Sequence, residues 1–408
     1  MDYLLKRSTI ITIFCLYIGY AASAQVVNNW RGPDRDGKYP DTGLLKQWPQ
    51  DGPDMLWAYE DLGKGFSSAV VHNNRIYVTG VENDDGFVYE LSMDGELLRK
   101  IPYGKEMVES FPGSRSTPAI ADNLLYMATG VGKLVCINLN SAQQEWSWDL
   151  FNDFDGENIR WGLTENLIID GDLVYCNPGG KKNNVIALNR FTGELIWSSE
   201  GKGELSAYGS PLLITHNGRK ILVSMLQKYI LGLDPETGNL LWHYPFSNQH
   251  EVHPNTPIYH NGSLYCFSGY GNGGVKLKLT HDGSSVEKEW FNSDLDNQMG
   301  GAVLVNGTIY GSGQRNRNWF CIDWETGETL YQSRDVDIGT VIYADGMLYA
   351  YTQRGELALI EPLKGSFRLV SQTPIELGSE QHWAHLVIDN GILYVRHGNA
   401  LMAYDIKK

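Results

Sequence analysis

Short apolar runs separated by tight turns dominate the pattern of polar and apolar residues in this chain. One phrase recurs along most of it: an Asn-Gly, Asp-Gly or related turn, then two apolar residues and usually a tyrosine. The phrase returns about every 45 residues, a period typical of four-stranded propeller blades. Its eight copies predict an all-β fold, a single eight-bladed β-propeller with four-stranded blades. The aligned positions are Tyr77, Tyr126, Tyr175, Val223, Tyr265, Tyr310, Tyr349 and Tyr394.

A second repeated phrase predicts the outer edge of a blade. It reads ALNRFTGELIW at 187–197, GLDPETGNLLW at 232–242 and, less clearly, CIDWETGETLY at 321–331. A Thr-Gly turn between two apolar runs is typical of a tight β-hairpin. We therefore expect the tryptophan that ends the phrase to pack onto a neighbouring blade, which is a structural role.

The last copy of the repeat, at 386–406, holds only three strand-like runs. The run DMLWAYEDL at 54–62 resembles the outer strands of the other blades. An N-terminal strand that completes the last blade would close the ring and remove two open sheet edges. The pattern therefore predicts that Trp57 lies in the outer strand of the sheet that contains Tyr394.

The start of the chain has the pattern of a cleaved secretory signal. A basic beginning, a short apolar stretch and a small-residue cleavage site follow one another. No later apolar run is long enough to span a membrane, so we expect a periplasmic or secreted protein. The predicted division is a signal peptide at 1–24, an N-terminal extension with the motif WRGPDRDG at 25–53, and the propeller at 54–408.

Charge and cysteine content exclude some classes of partner. The 408 residues carry a formal net charge of −15, which argues against nucleic acid and anionic membrane surfaces as partners. Beyond the signal, the cysteines lie in apolar runs without CxxC spacing, and we expect them to be buried rather than bound to zinc or paired. They are Cys136, Cys176, Cys266 and Cys321. We expect a monomer.

The outer-hairpin phrase resembles the tryptophan-docking repeat of quinoprotein dehydrogenases and their PQQ-like, BamB-like propeller relatives. The stretch NWRGPDRDG at 29–37 is similar to the N-terminal signature of an exported, polyvinyl alcohol dehydrogenase-like subgroup. For the dehydrogenases, the resemblance implies PQQ stacked on a tryptophan, with calcium bound by Glu, Asn and Asp. Alcohol dehydrogenases of the family also cap PQQ with a disulfide between adjacent cysteines, and this sequence has no adjacent cysteine pair. PQQ with calcium is therefore implied by resemblance alone.

Alignment of the eight copies on the turn predicts which loop residues face the central channel. Six residues before the second turn position lie Ser68, Thr117, Glu165, Ser210, Thr256, Gly301, Thr340 and His385, with a two-residue shift in the fourth copy. Three residues earlier lie Gly65, Ser114, Gly162, Ala207, His253, Gln298, Asp337 and His382. Most are small, as a crowded channel mouth requires, so the large polar exceptions are the candidates for chemistry.

The exceptions offer metal ligands and acid–base groups. A candidate site for one divalent metal consists of His253, Gln298, His382 and His385. Candidates for catalytic proton transfer are His382, His385, Glu165 and Asp337. The alternative is that all of them form hydrogen bonds with backbone and water at the rim.

The loops of the same face also carry cations and aromatic residues. A chain of net charge −15 that gathers cations on one face is expected to attract an anion there. We assign to ligand or cofactor binding Arg115, Arg160, Trp161, Tyr208, Lys228, Arg315, Arg317 and Trp383. The predicted ligand is an anionic small molecule or carbohydrate, and the alternative is a solvated loop surface.

Three functions are compatible with these patterns. The first is a quinoprotein-like oxidoreductase acting on an alcohol or sugar, which needs a separate electron acceptor because the sequence has no haem-binding CxxCH. The second is a metal-dependent lyase, or a related enzyme, acting on acidic, uronate-containing carbohydrates. The third is a non-catalytic binding or assembly propeller.

Overall fold

Eight β-sheets surround a central channel in the computed structural model, which describes residues 27–28, 30–299 and 301–408. Three strands precede the first blade: β1 (Val27–Asn28), β2 (Lys38–Tyr39) and β3 (Asp54–Tyr59). The other strands follow one another blade by blade, each blade running from the channel outwards. The predicted eight-bladed propeller with four-stranded blades is confirmed.

The blades take up the chain in sequence order. Blade one is β4 (Val70–His72), β5 (Arg75–Glu82), β6 (Asp85–Leu91) and β7 (Leu97–Lys105); blade two is β8 (Ala119–Ala121), β9 (Leu124–Ala128), β10 (Lys133–Asn138) and β11 (Gln143–Asp149). Blade three is β12 (Ile168–Asp170), β13 (Leu173–Cys176), β14 (Val185–Asn189) and β15 (Leu195–Ser199); blade four is β16 (Leu212–His216), β17 (Arg219–Met225), β18 (Tyr229–Leu233) and β19 (Leu240–Pro245). Blade five is β20 (Ile258–His260), β21 (Ser263–Ser268), β22 (Gly273–Leu279) and β23 (Val286–Asn292); blade six is β24 (Ala302–Val305), β25 (Thr308–Ser312), β26 (Trp319–Asp323) and β27 (Thr329–Ser333). Blade seven is β28 (Gly339–Ala344), β29 (Met347–Thr352), β30 (Glu356–Leu363) and β31 (Ser366–Pro374); blade eight begins with β32 (Val387–Asp389), β33 (Ile392–His397) and β34 (Ala400–Asp405).

Burial falls from the inside of each blade to its outer edge. The second strand of blade five, β21, is buried along its whole length, whereas the outer strand β23 buries one residue, Trp290. Inner strands are covered on both faces by neighbouring blades, and β-branched and aromatic residues suit such two-sided packing. All the cysteines in the described residues are buried and free, as the sequence indicated.

The Thr-Gly hairpins hold adjacent blades together because each receives a tryptophan from the preceding blade. Trp146 donates from Nε1 to the Arg190 carbonyl of the next blade at 2.9 Å, and Trp197 donates to the Pro235 carbonyl at the same distance. The turn residue Gly193 has a φ of +73°, and a Cβ there would lie 2.8 Å from the Trp146 ring. The phrase therefore requires glycine both for the turn and for the close approach of the tryptophan.

The N-terminal strand closes the ring as predicted. β3 pairs antiparallel with β34, and the order of the last sheet is β3-β34-β33-β32. Trp57 lies opposite Ala403, which in turn pairs with Tyr394. Trp57 also donates to the Met93 carbonyl of blade one at 2.9 Å. The prediction that Trp57 shares a sheet with Tyr394 is confirmed.

A segment near the N-terminus lies inside the channel, which the sequence pattern did not indicate. β1 runs antiparallel along β8 of blade two, and β2 runs parallel to β28 of blade seven, so the chain between them makes a U-turn across the channel. Arg35 donates to two carbonyls of blade three at 2.7 and 3.0 Å, and Arg31 donates to the Ala302 carbonyl of blade six at 2.7 Å. We call residues 30–37 the channel segment.

The predicted signal peptide at 1–24 lies outside the described residues. Of the predicted extension at 25–53, the structure describes residues 27, 28 and 30–53. No helix in the described part of the chain is both long enough and apolar enough to span a bilayer.

Candidate functional site

A cavity of about 340 Å³ opens at the channel mouth, beside the channel segment. Its walls are mainly the loops that lead into the innermost strands, which is the face where the sequence predicted a site. The predicted residues that line it are Arg115, Trp161, Tyr208, Gln298, Trp383 and His385. The structure therefore brings part of the predicted set to one place.

Aromatic side chains form much of the cavity wall. The ring of Trp383 packs against Phe66 and Phe111, with centroid distances of 5.0 and 4.8 Å. Trp161 lies edge-on to Tyr208 at 6.3 Å, and the Tyr208 hydroxyl donates to the Trp161 carbonyl. Walls of this kind suit a ligand with a flat ring and a large apolar face.

Three of the aromatic residues at the cavity have a left-handed backbone. The φ angles are 63° at Phe111, 70° at Tyr208 and 62° at Tyr270. Bulky residues seldom adopt this conformation, which costs about 1–3 kcal/mol for each residue. The surrounding fold therefore holds these rings at the cavity against their local preference, as is common at binding sites.

Arg115 brings a positive charge to the rim of the cavity. Its Nη2 donates to the carbonyls of Ser110 and Phe111 at 2.8 and 2.9 Å. These partners are neutral, so the bonds fix the guanidinium in place without cancelling its charge. Arg160 lies 5.1 Å from the centre of the Trp161 ring, which puts a second cation against the cavity wall.

Seven residues that line the cavity occupy one equivalent loop position in seven blades. Each lies one residue after a position of the second predicted ring, once the turn of blade three is moved by one residue. They are Phe66, Arg115, Thr164, Tyr208, Pro254, Met299 and Trp383. Successive residues of an extended chain point to opposite sides. The prediction from sequence favoured the titratable residues one position earlier, and it therefore missed part of the cavity lining. Trp30 was also missed, although it belongs to the quoted N-terminal motif.

His385 lines the cavity as a neutral ring whose nitrogens are both engaged. Its Nδ1 lies 3.1 Å from Nη1 of Arg31, and its Nε2 lies 3.0 Å from the Met299 carbonyl. Burial, and secondly the Arg31 charge, hold the pKa of His385 well below its usual range. The geometry does not support the predicted roles of His385 in proton transfer or metal binding, because neither nitrogen faces a ligand.

Asn166, rather than Glu165, occupies the channel-facing position of blade three. The turn of this blade begins one residue later than the alignment assumed, and a one-residue shift turns a side chain to the opposite side. Asn166 accepts from the Thr117 backbone N–H at 2.6 Å and donates to Ser210 Oγ at 2.8 Å. It therefore connects the ring positions of blades two and four.

Glu165 points into the protein and caps a loop. Its carboxylate accepts from the backbone N–H and the side-chain amide of Asn177 at 2.8 and 3.0 Å, and Cys176 Sγ lies 3.4 Å away. Burial raises the pKa of Glu165 to about 7, against the opposing effect of these hydrogen bonds. With 2% of its surface exposed, Glu165 lies in a structural environment rather than a catalytic one.

The structure does not bring the three predicted metal-binding histidines together. His253 lies 3.0 Å from Ser268 Oγ and 3.1 Å from the Gln227 carbonyl, and burial lowers its pKa to about 4. His382 stacks on His397 at 3.8 Å and meets the Tyr351 hydroxyl at 2.6 Å. Burial, with a smaller effect from His397, lowers the pKa of His382 to about 4. Among the described residues, no group of three or more His, Cys, Asp or Glu side chains could hold a metal ion.

The remaining predicted charged residues lie outside the cavity lining, and most of them have charged partners. Asp337 accepts from Nη2 of Arg317 at 2.6 Å, and Arg354 lies 3.5 Å from its other oxygen. Lys228 lies 3.6 Å from a Glu251 oxygen. The backbone N–H of Arg315 donates to Asp296, and its side chain extends along a neighbouring loop. Acidic partners beside Arg317 and Lys228, and the position of Arg315 outside the cavity lining, explain why these cations do not form one anion site.

Comparisons with known proteins connect this architecture to two kinds of propeller. A family model described as outer membrane protein assembly factor BamB matches residues 84–333, more than half of the chain. The outer membrane protein assembly factor BamB of Kangiella koreensis is 26% identical over 178 residues, 43% of this chain and 42% of that protein. The quinoprotein alcohol dehydrogenase PedH of Pseudomonas putida is 24% identical over 150 residues, 34% of this chain and 24% of that protein. The chain therefore spans less than half the length of these curated relatives.

Solved structures show the same fold at low sequence identity. BamB from Moraxella catarrhalis superposes with a TM-score of 0.62 at 14% identity, over 86% of this chain and 99% of that chain. The quinohemoprotein alcohol dehydrogenase ADHIIG from Pseudomonas putida HK5 gives a TM-score of 0.61 at 12% identity, over 92% and 79%. At such identities the likeness concerns the fold alone.

Proposed function

The chain belongs to the PQQ-like β-propeller family described as outer membrane protein assembly factor BamB, and we propose that it is an exported, ligand-binding propeller. Its ligand is a small anion with a flat ring, held in the cavity at the channel mouth. The observation that carries the proposal is an aromatic cavity of about 340 Å³ with the Arg115 guanidinium at its rim. Because the fold hosts unrelated functions, the site rather than the family supports this proposal.

The aromatic walls account for the ring of the proposed ligand, and Arg115 accounts for its negative charge. A ring packed against aromatic walls gains about 0.5–1.5 kcal/mol beyond the burial of its apolar area. Arginine binds carboxylate or sulfate through paired hydrogen bonds, which a neutral group cannot match. The shared chemistry is a ring with an apolar face and an anionic substituent, and both an aromatic acid and an acidic sugar meet that description.

PQQ with calcium fits these residues poorly. PQQ carries three carboxylates, whereas Arg115 is the one arginine or lysine in the cavity lining of the described residues. That lining also contains no Asp or Glu, and calcium requires several oxygen ligands, usually with carboxylates among them. The calcium-binding trio that the family resemblance implied has no counterpart at this cavity, so we propose no redox step.

A metal-dependent lyase has less support than a binding protein for a related reason. Of the histidines that would bind the metal or act as a base, His253 and His385 use both ring nitrogens within the protein, and His382 uses Nδ1. No carboxylate lines the cavity in the described residues, and a histidine whose pKa is lowered by burial and by a neighbouring arginine is a poor base.

Export is part of the proposal. The signal-peptide pattern at 1–24 supports it, and so do relatives whose names place them in outer membrane assembly. An exported binding propeller needs neither the adjacent cysteines nor the electron acceptor that the dehydrogenases require. We propose the periplasm or the outside of the cell as its location.

The test compares two acids with their neutral counterparts: naphthoate with naphthyl methanol, and glucuronate with glucose. Calorimetric titration of the purified protein measures each Kd. We expect at least one acid to bind, and Arg115→Ala to weaken it by about 1.5–3 kcal/mol, roughly ten- to a hundredfold. Added salt should weaken the acid and leave the neutral compound unchanged.

Two matched variants serve as controls. Arg368→Ala removes an arginine that is 68% exposed on β31, and Phe191→Ala removes an exposed ring from an outer hairpin. Neither should alter binding, whereas Trp161→Ala should weaken the acid and its neutral counterpart alike. Binding that favours the neutral compounds and ignores Arg115→Ala would contradict the proposal.

A further inference from the structure

The channel segment supplies the inner wall of the cavity. Trp30 is 8% exposed, lines the cavity, and lies edge-on to His385 with ring centroids 4.8 Å apart. These two rings come from opposite ends of the chain and meet only because the channel segment crosses the channel. The shape of the deepest part of the cavity therefore depends on where this segment is held.

Arg31 holds the His385 ring in place, and its guanidinium lies 5.8 Å from the centre of the Trp30 ring. Its Nη2 donates to the Ala302 carbonyl at 2.7 Å, and its Nη1 lies 3.1 Å from His385 Nδ1. A guanidinium can only donate, so Nδ1 must be the acceptor and the ring proton must be on Nε2. Nε2 then donates to the Met299 carbonyl at 3.0 Å. His385 therefore offers its carbon edge and ring face to a ligand, and no polar atom.

Other polar groups of the cavity are also bonded within the protein. Asn166 donates to Ser210 Oγ at 2.8 Å, Thr164 donates to the Tyr208 carbonyl at 3.0 Å, and the Tyr208 hydroxyl donates to the Trp161 carbonyl. Apart from Arg115, the Gln298 amide and the Tyr270 hydroxyl, the hydroxyls of a sugar would have to compete with these bonds or stay unsatisfied, which is costly in a dry cavity. An aromatic ring needs only apolar surface.

We infer that the ligand is an aromatic carboxylate, inserted with its ring against Trp30 and its carboxylate at the Arg115 rim. This inference rests on the proposed function and narrows its ligand from two classes to one. Trp30 is the specificity-determining residue because it contacts the ring, and Arg31 is a positioning residue that acts through His385. The channel segment is thus part of the binding site.

The first test compares naphthoate with glucuronate. Naphthoate should bind at least about tenfold more tightly, and Trp30→Ala should weaken it by about tenfold or more. Trp30→Phe, which keeps an aromatic wall, should retain most of the affinity. Lys38→Ala changes a half-buried residue just beyond the channel segment, with a side chain that is 38% exposed, and should leave binding unchanged. Thermal unfolding of each variant shows that the fold is intact.

The outcomes separate this inference from the function on which it rests. If Arg115→Ala weakens the acids but Trp30→Ala has no effect, or if glucuronate binds as tightly as naphthoate, the inference is overturned and the binding function stands. If neither acid binds better than its neutral counterpart, the proposed function fails first. Tight, Trp30-dependent binding of naphthoate supports both.

The second test needs no ligand, and it measures whether Arg31 fixes the tautomer of the His385 ring. In NMR spectra of protein with nitrogen-labelled histidine, His385 should remain the neutral Nε2–H tautomer from about pH 5 to about pH 7.5. The signal is identified by its loss in His385→Asn. Arg31→Ala removes the donor to Nδ1 and one of the two causes that lower the pKa of His385. This pKa should therefore rise while burial still holds it below its usual range, and Arg31→Lys, which keeps a charged donor, should restore the wild-type spectrum. If Arg31→Ala does not fold, the wild-type spectrum decides, because ordinary titration of His385 would overturn the positioning role.

Discussion

Two rings of side chains in this propeller occupy equivalent positions from blade to blade. The residue type is largely constant in one ring and variable in the other. The outer-hairpin ring repeats one residue type in blades two to five and in blade eight, with buried or half-buried indoles: Trp146, Trp197, Trp242, Trp290 and Trp57. The cavity ring changes its residue type at every blade, from Phe66 through Arg115 to Trp383. A repeated residue solves the packing problem that all blades share, whereas a varied ring forms one asymmetric surface. The varied ring is therefore where a ligand can be recognised.

The largest expected effect comes from removing a member of the outer-hairpin ring. Trp197→Ala deletes a ring that is 8% exposed, together with its bond to the Pro235 carbonyl. The free energy of unfolding should fall by about 3–5 kcal/mol. Trp161→Ala in the cavity wall should lower it by about 1 kcal/mol or less, while weakening the binding of naphthoate. Chemical denaturation measures both, and the opposite order of the two losses would break the comparison.

A pair of glycine variants isolates the contact that the hairpin phrase protects. Gly193→Ala places a methyl group 2.8 Å from the Trp146 ring at a φ of +73°, so stability should fall by about 2–4 kcal/mol. Gly307→Ala has a similar φ of +78° with no atom within 4 Å of its Cβ, so about 1–2 kcal/mol should be lost. Equal losses would mean that only the backbone conformation matters.

Glu165 is a buried carboxyl group that does not line the cavity, and its effect should appear in the pH dependence of the free energy of unfolding. Burial raises its folded pKa to about 7 from an ordinary 4.5, so the folded state binds its proton more tightly than the unfolded state. The contribution of Glu165 to stability is therefore present below its ordinary pKa and is lost as pH rises through about 7. In Glu165→Gln, the free energy of unfolding should fall less between about pH 5 and about pH 8. Glu361→Gln, an exposed control, should behave as wild type; an unchanged profile in Glu165→Gln would assign the effect elsewhere.

The smallest effect is expected from the predicted cation that the structure pairs with an acid. Arg317 is 47% exposed and lies 2.6 Å from Asp337. Arg317→Ala should change the free energy of unfolding by less than about 1 kcal/mol and leave the Kd for naphthoate unchanged. A loss of binding comparable to that of Arg115→Ala would extend the ligand site beyond the cavity.

Most of the fold could be predicted because its information is local and repeated. Each Asn-Gly or Asp-Gly turn fixes a strand pair, and the tyrosine after it marks the register. The missing fourth strand of the last copy was enough to assign Trp57 to its sheet. These signals need only neighbouring residues and the period between copies.

The candidate site was harder to predict because it depends on single-residue register and on distant contacts. The turn of blade three begins one residue later than the sequence alignment assumed. The alignment therefore placed Glu165 at the channel, where the structure has Asn166. His253 and His382 stand one residue before cavity-lining positions and find partners inside the protein. Trp30 and Arg31 could not be placed at all, because their partners lie in blades six to eight and no local pattern connects them.

The channel segment joins parts of the chain that are far apart in sequence, and this separation bears on folding. Arg31 and the His385 ring that it holds are 354 positions apart, and contacts at such separation form late because the intervening chain must first become ordered. Residues 30–37 are synthesised before any blade, yet the inner strands against which they rest belong mostly to the second half of the chain. We therefore expect the cavity wall formed by Trp30 and His385 to assemble late in folding, after the blades that surround the channel segment.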